Sequence, residues 1–294
     1  MTSVFSFDNE DTKQRCGAFF TFGLDCLGIA LTDKGGREEN QDSWGLAIAR
    51  DGSLVMAVAD GLGGHIGGRI AARLAVMGAI KVSHEEGFDG HKNEWLEKMF
   101  INANNDILAA QMKDPSVNEM RSTLLVAIIK DYRLIWGFIG DVRLYLIRNN
   151  KIISQTKDQS VPQMLVDAGV IGPEDIRGHP DRNRLLQALG GGDEKNMADL
   201  TGISEFFPGD LLVASSDGFW ELIYEESLLG MAQNSSPFNI VLGADRHIQE
   251  IIKNGDHGLE FDNYSVIAFT RDNLKDLKDY VDLAKKNNIM LVQW

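Results

Sequence analysis

The sequence predicts a layered α+β domain in which helices interrupt two antiparallel sheets. Strand-like apolar runs come in pairs joined by short turns, and short turns favour antiparallel neighbours because parallel strands need a long crossover. Between these runs, apolar residues also recur at helical spacing. Hydrophobic residues make up 44% of the 294 residues, so the chain is able to bury a large core.

The strand-like runs fall into two groups. The first contains AFFTFGL and CLGIALT, followed by GLAIA and LVMAVAD on either side of the turn RDGS. The second contains TLLVAIIK, RLIWGFIG, RLYLIR and KIISQT, separated by the turns DY, DV and NN. Both groups are rich in residues that suit a pleated, buried surface. We expect successive strands of the second group to be antiparallel neighbours.

The segments predicted to be helical lie between and after the strand groups. Apolar residues at helical spacing predict helices over 67–82 and 93–112. Farther along the chain, DLLVASSD and YSVIAFT are typical of strands, 240–252 of a helix, and 273–287 of an amphipathic helical tail. The sequence has no internal repeat or low-complexity linker, so we expect a single domain.

Charge and targeting signals narrow the class of protein. The formal net charge is -14, so nucleic acids and anionic membrane surfaces are not expected partners. The N-terminus lacks the pattern of a signal peptide, and no apolar run reaches the ~18 residues of a membrane helix. Cys16 and Cys26 lack the companions of a disulfide framework or a zinc site. We therefore expect a cytoplasmic protein with reduced thiols.

Four aspartates stand where a predicted strand meets a loop. Asp60 follows LVMAVA, Asp141 follows IWGFIG, Asp217 follows LLVASS, and Asp262 lies just before NYSVIAF. Carboxylates gathered at strand ends would repel one another unless a cation lay between them, and Mg²⁺ or Mn²⁺ prefers such oxygen ligands. Acids beside glycine are also common turn formers, so their positions alone leave an ordinary loop open as the alternative.

Six segments, taken in order, carry a family resemblance. They are GGREENQDSWG, VADGLGGHIGGRIAA, RSTLLVAII with GDVRLYLIRNNKI and TKDQS, PDRNRLLQALGG, FFPGDLLVASSDGFWELI, and DNYSVIAF. Together they resemble the metal-dependent serine/threonine protein phosphatases of type 2C, especially the short bacterial members. The resemblance covers about 28–270. It implies a four-layer α-β-β-α sandwich, with two antiparallel sheets flanked by helices.

The same resemblance predicts a division of the chain into a catalytic domain and a C-terminal extension. It implies a single phosphatase-like catalytic domain over 1–270 and leaves 271–294 as a C-terminal helical extension. The apolar positions of that extension are expected either to dock on the core or to contact a partner.

The resemblance also implies a centre of two Mg²⁺ or Mn²⁺ ions. Asp60 would bridge both ions, the carbonyl of Gly61 would bind one of them, and Asp217 and Asp262 would bind the other. Asp42 would not bind the ions directly but would accept hydrogen bonds from water molecules bound to them. Two such cations activate a water molecule that attacks phosphorus directly, without a phosphoenzyme.

The family resemblance also implies roles for other residues. Arg37 stands at the phosphate-binding position of the family, where a planar guanidinium clamps the phosphoryl group. Asp141 and Glu221 stand where some members bind a third, weaker ion. Four positions depart from the pattern. Gln41 replaces a frequent glutamate, Leu62 replaces a histidine proposed as the general acid in eukaryotic relatives, Gln159 replaces a usual histidine, and Arg69 replaces a common helix glutamate.

The resulting prediction is a signalling enzyme that hydrolyses phosphoserine and phosphothreonine on proteins, opposing a cognate serine/threonine kinase. One alternative is a nucleotide-binding protein, but the glycine loop lacks a Gly-Lys-Ser/Thr ending. A second alternative is a pseudophosphatase, a partner-binding regulatory module of the same fold. Asp60, Asp217 and Asp262 are all retained, which favours the enzyme.

Overall fold

The computed structural model describes residues 4–7, 15–22, 26–63, 65–85, 92–191, 199–233, 236–255, 261–271 and 277–293. The strands in these ranges are β1 (Val4–Phe7), β2 (Cys16–Phe22), β3 (Cys26–Asp33), β4 (Ser43–Ile48), β5 (Leu54–Ala59), β6 (Gly61–Leu62), β7 (Arg121–Ser122), β8 (Leu124–Lys130), β9 (Arg133–Ile139), β10 (Arg143–Arg148), β11 (Lys151–Gln155), β12 (Asp199–Glu205), β13 (Leu211–Ser215), β14 (Tyr264–Arg271) and β15 (Met290–Gln293).

The described helices all lie between strands in the chain. They are α1 (His65–Glu85), α2 (Lys92–Lys113), α3 (Val161–Asp167), α4 (Asp217–Trp220), α5 (Glu225–Met231), α6 (Pro237–Asn254) and α7 (Leu277–Lys286), with 3₁₀ turns at Pro115–Val117 and Pro173–Asp175. Within the described ranges, no helix combines the length with the apolar character that crossing a bilayer requires.

Two large sheets form the centre of the fold. One has six strands in the order β1-β4-β5-β8-β9-β12, and the other has seven in the order β11-β10-β13-β14-β3-β2-β15. Neighbouring strands are antiparallel except for β15, which runs parallel to β2. A short ladder joins β6 to β7. The predicted α+β class with two largely antiparallel sheets is confirmed.

Three apolar clusters explain the layer order. One fills the space between the two sheets and includes Trp44, Phe20 and Phe269. A second joins the six-stranded sheet to α1 and α2, and a third joins the seven-stranded sheet to α5, α6 and α7. Strand β3 is buried on both faces, since Ile29 belongs to the helix-side cluster and Ala30 to the cluster between the sheets. The layers therefore follow the predicted order α-β-β-α.

The expectation about the second strand group was wrong at one connection. Strands β8 and β9 pair with each other, as do β10 and β11. Strands β9 and β10, however, belong to different sheets, although only three residues separate them. Gly140 adopts φ +95° at this point, a conformation that glycine tolerates well. The chain crosses between the sheets here, and Asp141 lies in the crossing.

The C-terminal extension is helical only in part. Helix α7 falls within the predicted tail, of which 273–276 lie outside the described residues, but β15 was not predicted. Tyr280 stacks on Phe238 of α6 with ring centroids 4.9 Å apart, and Ala284 and Ile289 are buried. The extension therefore packs on the core, the first of the two expected arrangements.

Candidate metal centre

The four aspartates at strand ends meet in one cleft. Asp60 follows β5, Asp141 lies in the crossing after β9, Asp217 begins α4 after β13, and Asp262 precedes β14. All four line an open cavity of about 500 Å³. Strands of both sheets thus deliver acids to the same edge, although up to about 200 residues separate the acids in sequence.

The backbone of Asp60 is fixed by the segment before β8. Its N–H donates to Oγ1 of Thr123 at 2.8 Å. Its carbonyl oxygen accepts from the N–H of Thr123 at 2.9 Å and from Oγ of Ser122 at 3.0 Å. The Arg-Ser-Thr part of the family-like motif therefore holds the central acid in place.

The glycines after Asp60 permit a very close approach of two backbones. A Cβ added to Gly61 would lie 1.9 Å from the carbonyl oxygen of Gly68 in α1, so no side chain fits there. The start of α1 consequently packs directly behind the loop that lines the cleft. Gly61 also lines the cleft, and the role of its carbonyl as a ligand stays a prediction.

Asp42 lies behind Asp60 and is held from two sides. Ser216 Oγ donates to Asp42 Oδ2 at 2.6 Å, and the Asp42 N–H donates to Oδ1 of Asn40 at 3.1 Å. Its other oxygen, Oδ1, is buried and has no hydrogen-bond partner among the described residues, as is also true of Oδ1 of Asp141.

Electrostatics indicate that the protein supplies too little positive charge to offset the buried acids of the cleft. Burial raises the pKa of Asp60 and Asp217 well above the usual range, and neighbouring carboxylates raise it further. Burial likewise raises the pKa of Asp42 and Asp141 to about 7; the next contribution for Asp141 comes from the charge of Asp158. Each shift means that ionised carboxylates repel one another in a poorly solvated place.

These carboxylates fit a hard divalent cation. Such an ion would relieve the repulsion, and the ion or its bound water would give the two orphaned oxygens a partner. In the described part of the chain, no group of three or more His, Cys, Asp or Glu side chains stands close enough together to hold a metal ion without rearrangement or bridging water. The cleft instead resembles an open site, in which few protein oxygens bind the ions and water completes each octahedron.

Arg37 also lines the cleft. Its Nη2 donates to Oδ2 of Asp262 at 3.1 Å. The residue predicted to bind phosphate is therefore paired with a residue predicted to bind metal, and both side chains remain partly exposed. The pair is long-range, since 225 positions separate the two residues.

Glu221 does not join Asp141 in the acidic cleft. It lines an adjacent pocket of about 260 Å³ that shares Asp262 with the cleft, and its Oε1 accepts from Nε of Arg182 at 3.0 Å. Burial raises the pKa of Glu221, and the charge of Arg182 opposes this shift. The assignment of Asp141 and Glu221 to a weaker ion stays a prediction, as do the other metal assignments.

Sequence analysis missed several residues that support the cleft. Trp220 donates from Nε1 to the backbone oxygen of Asp141 at 2.8 Å, and Asn263 binds the loop that carries Arg37. Asn263 and Ser216 stand next in sequence to the predicted ligands Asp262 and Asp217. This adjacency was the signal by which the sequence could have pointed to them. Leu62 lines the cleft, so the place of the eukaryotic histidine is apolar here.

Comparison with known proteins identifies the family. The protein phosphatase 2C model matches residues 35–171. The serine/threonine phosphatase stp of Listeria monocytogenes is 30% identical over 250 residues, which cover 82% of this chain and 94% of that protein. The protein phosphatase PhpP of Streptococcus pneumoniae is 32% identical over 210 residues, covering 70% of this chain and 84% of the relative.

Solved structures agree with this relationship. The phosphatase PstP/Ppp of Mycobacterium tuberculosis superimposes with a TM-score of 0.72 and 28% identity, covering 85% of this chain and 100% of that chain. The catalytic domain of PstP in complex with two manganese ions gives a TM-score of 0.68, also with 28% identity, covering 84% and 98%.

The four-layer fold is that of a serine/threonine phosphatase. The chain belongs to the protein phosphatase 2C family. It is a serine/threonine protein phosphatase of the bacterial type, and it acts on phosphoproteins.

Proposed function

We propose that this enzyme hydrolyses phosphoserine and phosphothreonine at a centre of two Mn²⁺ or Mg²⁺ ions in the acidic cleft. The observation that carries the proposal is the convergence of Asp60, Asp141, Asp217 and Asp262 in one cavity. Their mutual repulsion favours cation binding. The PstP complex with two manganese ions supports the choice of metal and the number of ions.

Five groups of the chain would hold the ions. Asp60, Asp217, Asp262 and the carbonyl of Gly61 would bind them. Asp42, oriented by the hydroxyl of Ser216, would accept hydrogen bonds from water around the ions. When bound, the ions would supply a water activated near neutral pH and neutralise charge that develops on phosphorus-bound oxygens.

The protein itself would position the substrate. The guanidinium of Arg37 offers a planar set of donors that matches two phosphoryl oxygens, and it lies in the same cavity as the acids. The cavity is open, so a phosphorylated side chain on the surface of another protein is able to enter. Neither thiol suits a phosphoenzyme, because Cys26 is buried in β3 and burial raises the pKa of Cys16 to about 12.

A serine/threonine kinase is the reaction class that must supply this substrate, because only transfer of a phosphoryl group to a hydroxyl creates the ester. The enzyme would thus oppose a cognate kinase. The competing proposal, a pseudophosphatase that only binds partners, predicts the same fold without turnover.

Phosphate release under metal titration tests the proposal. Purified enzyme freed of metal is given increasing Mn²⁺ with a phosphothreonine peptide or p-nitrophenyl phosphate. We expect release to rise with Mn²⁺ and Asp217→Asn to lower kcat at least about 100-fold, because a ligand charge is lost. Asp114→Asn is the matched control, since Asp114 is exposed, caps the turn at Pro115–Val117 and does not line the cleft; its kcat should equal that of the wild type.

Two results would count against this function. Absence of release from both compounds at saturating Mn²⁺ would favour the pseudophosphatase. A wild-type rate for Asp217→Asn would remove Asp217 from the metal centre while leaving the phosphatase activity standing.

A further inference from the structure

The loop that carries Arg37 is attached to one buried side chain. We call residues 34–41 the arginine loop. Asn263, only 4% exposed, donates from Nδ2 to the carbonyl oxygens of Lys34 and Glu39, each at 2.8 Å. Its Oδ1 accepts from the N–H of Gln41 at 2.8 Å. One amide group thus holds both ends of the arginine loop.

Further hydrogen bonds fix the interior of the arginine loop. The N–H of Arg37 donates to the carbonyl oxygen of Lys34 at 3.1 Å, and Nζ of Lys34 donates to the carbonyl oxygen of Arg37 at 2.8 Å. The N–H of Gly36 donates to the carbonyl oxygen of Phe261 at 3.0 Å. The backbone of Arg37 is therefore fixed against the segment that carries Asp262.

Precise placement matters more for Arg37 than for an ordinary surface residue. Its side chain is long and 39% exposed, so it loses considerable rotamer freedom when it binds an anion. A fixed backbone reduces the number of positions that the guanidinium samples, and misplacement by about 1 Å is costly in a reacting complex. The anchor of the loop is thus expected to influence phosphate affinity.

We propose that Asn263 is a positioning residue for phosphate recognition. It holds the arginine loop so that the guanidinium of Arg37 faces the same cleft as Asp262. This inference rests on the proposed phosphate-binding role of Arg37. Asn263 lines the cleft, and its backbone N–H donates to Oδ1 of Asp262 at 2.8 Å, a bond that a side-chain substitution retains. In this assignment the side chain of Asn263 binds neither ion nor phosphate and acts through Arg37.

Phosphate affinity separates this role from general structural support. Binding of inorganic phosphate to the full chain at saturating Mn²⁺ is measured by calorimetry for the wild type, Arg37→Ala, Asn263→Ala and the double variant. We expect each single variant to weaken binding about tenfold or more, because a charge-assisted pair is lost or misplaced. The double variant should bind within twofold of Arg37→Ala, since no guanidinium remains to be positioned.

Kinetics provide a second readout. For Asn263→Ala, the KM for a phosphothreonine peptide should rise by about the same factor as the phosphate dissociation constant, and kcat should change less. Should Asn263→Ala not fold, Asn263→Asp is measured in the same way, alone and with Arg37→Ala. That variant keeps the acceptor for Gln41 and loses both donors.

Asn104 offers a matched control. It is also buried, and its Oδ1 accepts from the N–H of Gly190 at 2.8 Å, but it lies on α2. Asn104→Ala should lower the melting temperature and leave phosphate affinity within twofold of the wild type. If Asn104→Ala lost as much phosphate affinity as Asn263→Ala, the effect of Asn263 would be general structural support and not positioning of Arg37.

The remaining outcomes distinguish the two proposals. Losses that multiply in the double variant, or wild-type affinity in Asn263→Ala, would overturn the positioning role and leave Arg37 as the phosphate ligand. Wild-type phosphate affinity in Arg37→Ala would overturn both the role of Asn263 and the proposed function of Arg37.

Discussion

Some buried carboxylates of this chain are paired with an arginine, whereas others have no ion pair among the described residues. Asp158 is buried and forms two hydrogen bonds with Arg143, at 2.8 and 2.7 Å. Among the described residues, no ion pair involves Asp60, Asp141 or Asp217, although Asp141 and Asp217 are also buried. Burying an unpaired charge is costly. The contrast indicates that the fold neutralises Asp158 internally and leaves Asp60, Asp141 and Asp217 for an external cation.

Alanine substitution of Gly218 tests how closely the backbone packs around the acidic cleft. A Cβ on Gly218 would lie 2.0 Å from the carbonyl oxygen of Asn263, so Gly218→Ala must displace the segment that carries Asp262. We expect it to lower the free energy of unfolding by more than about 2 kcal/mol and to reduce activity. Denaturant unfolding and peptide dephosphorylation measure both effects.

The matched change is Gly230→Ala in helix α5, where an added Cβ meets nothing within 4 Å. Alanine is favoured over glycine in a helix, so this variant should gain about 0.5 kcal/mol at most and keep its activity. Equal stability of the two variants would contradict the close approach at Gly218.

At the scale of elements, periodicity predicted the long segments well and the short ones poorly. The helices expected over 67–82 and 93–112 are α1 and α2, each slightly longer than predicted. Helices α4 and α5 are shorter than eight residues, too short for a repeating pattern. The crossing between β9 and β10 was mistaken for a hairpin, because a short connection also joins strands of stacked sheets.

The C-terminal extension is an element whose contribution is measurable. Tyr280→Ala removes the ring that stacks on Phe238 and should lower the free energy of unfolding by about 1 to 2 kcal/mol. The kcat should be unchanged, because no residue lining the acidic cleft belongs to α7 or β15. Chemical denaturation and peptide dephosphorylation provide the two measurements.

Asp282 is the control on the same helix, since its side chain is exposed. Asp282→Ala should leave stability within about 0.5 kcal/mol of the wild type. If Tyr280→Ala were equally neutral, the extension would contribute little to the core and the partner-contacting alternative would regain support.

For the whole molecule, the acidic cleft predicts a link between pH, metal and stability. In the absence of divalent ions, the pKa of Asp42 and Asp141 is about 7 in the folded state, against about 3.9 for an unfolded aspartate. Between these values the folded state binds more protons, so the free energy of unfolding falls as pH rises from about 4 to about 7.

Mn²⁺ should reverse this loss, because it binds ionised carboxylates and stabilises only the folded state. We expect Mn²⁺ to raise the melting temperature more at pH 8 than at pH 5.5. Scanning calorimetry with EDTA or excess Mn²⁺ provides the comparison, and Asp217→Asn should show a smaller gain. A gain independent of pH would argue against the cleft as the main metal site.

The sequence by itself determined the α+β class, most strands and the acids at their ends, and the order of its motifs identified the phosphatase family. These features follow from local patterns, since burial imposes a period on each strand or helix. The tertiary structure alone decided that Arg37 pairs with Asp262, that Asn263 anchors the arginine loop, and that β15 extends the seven-stranded sheet. Such contacts join residues more than 200 positions apart, and their geometry depends on the packing of whole layers, which no local pattern records.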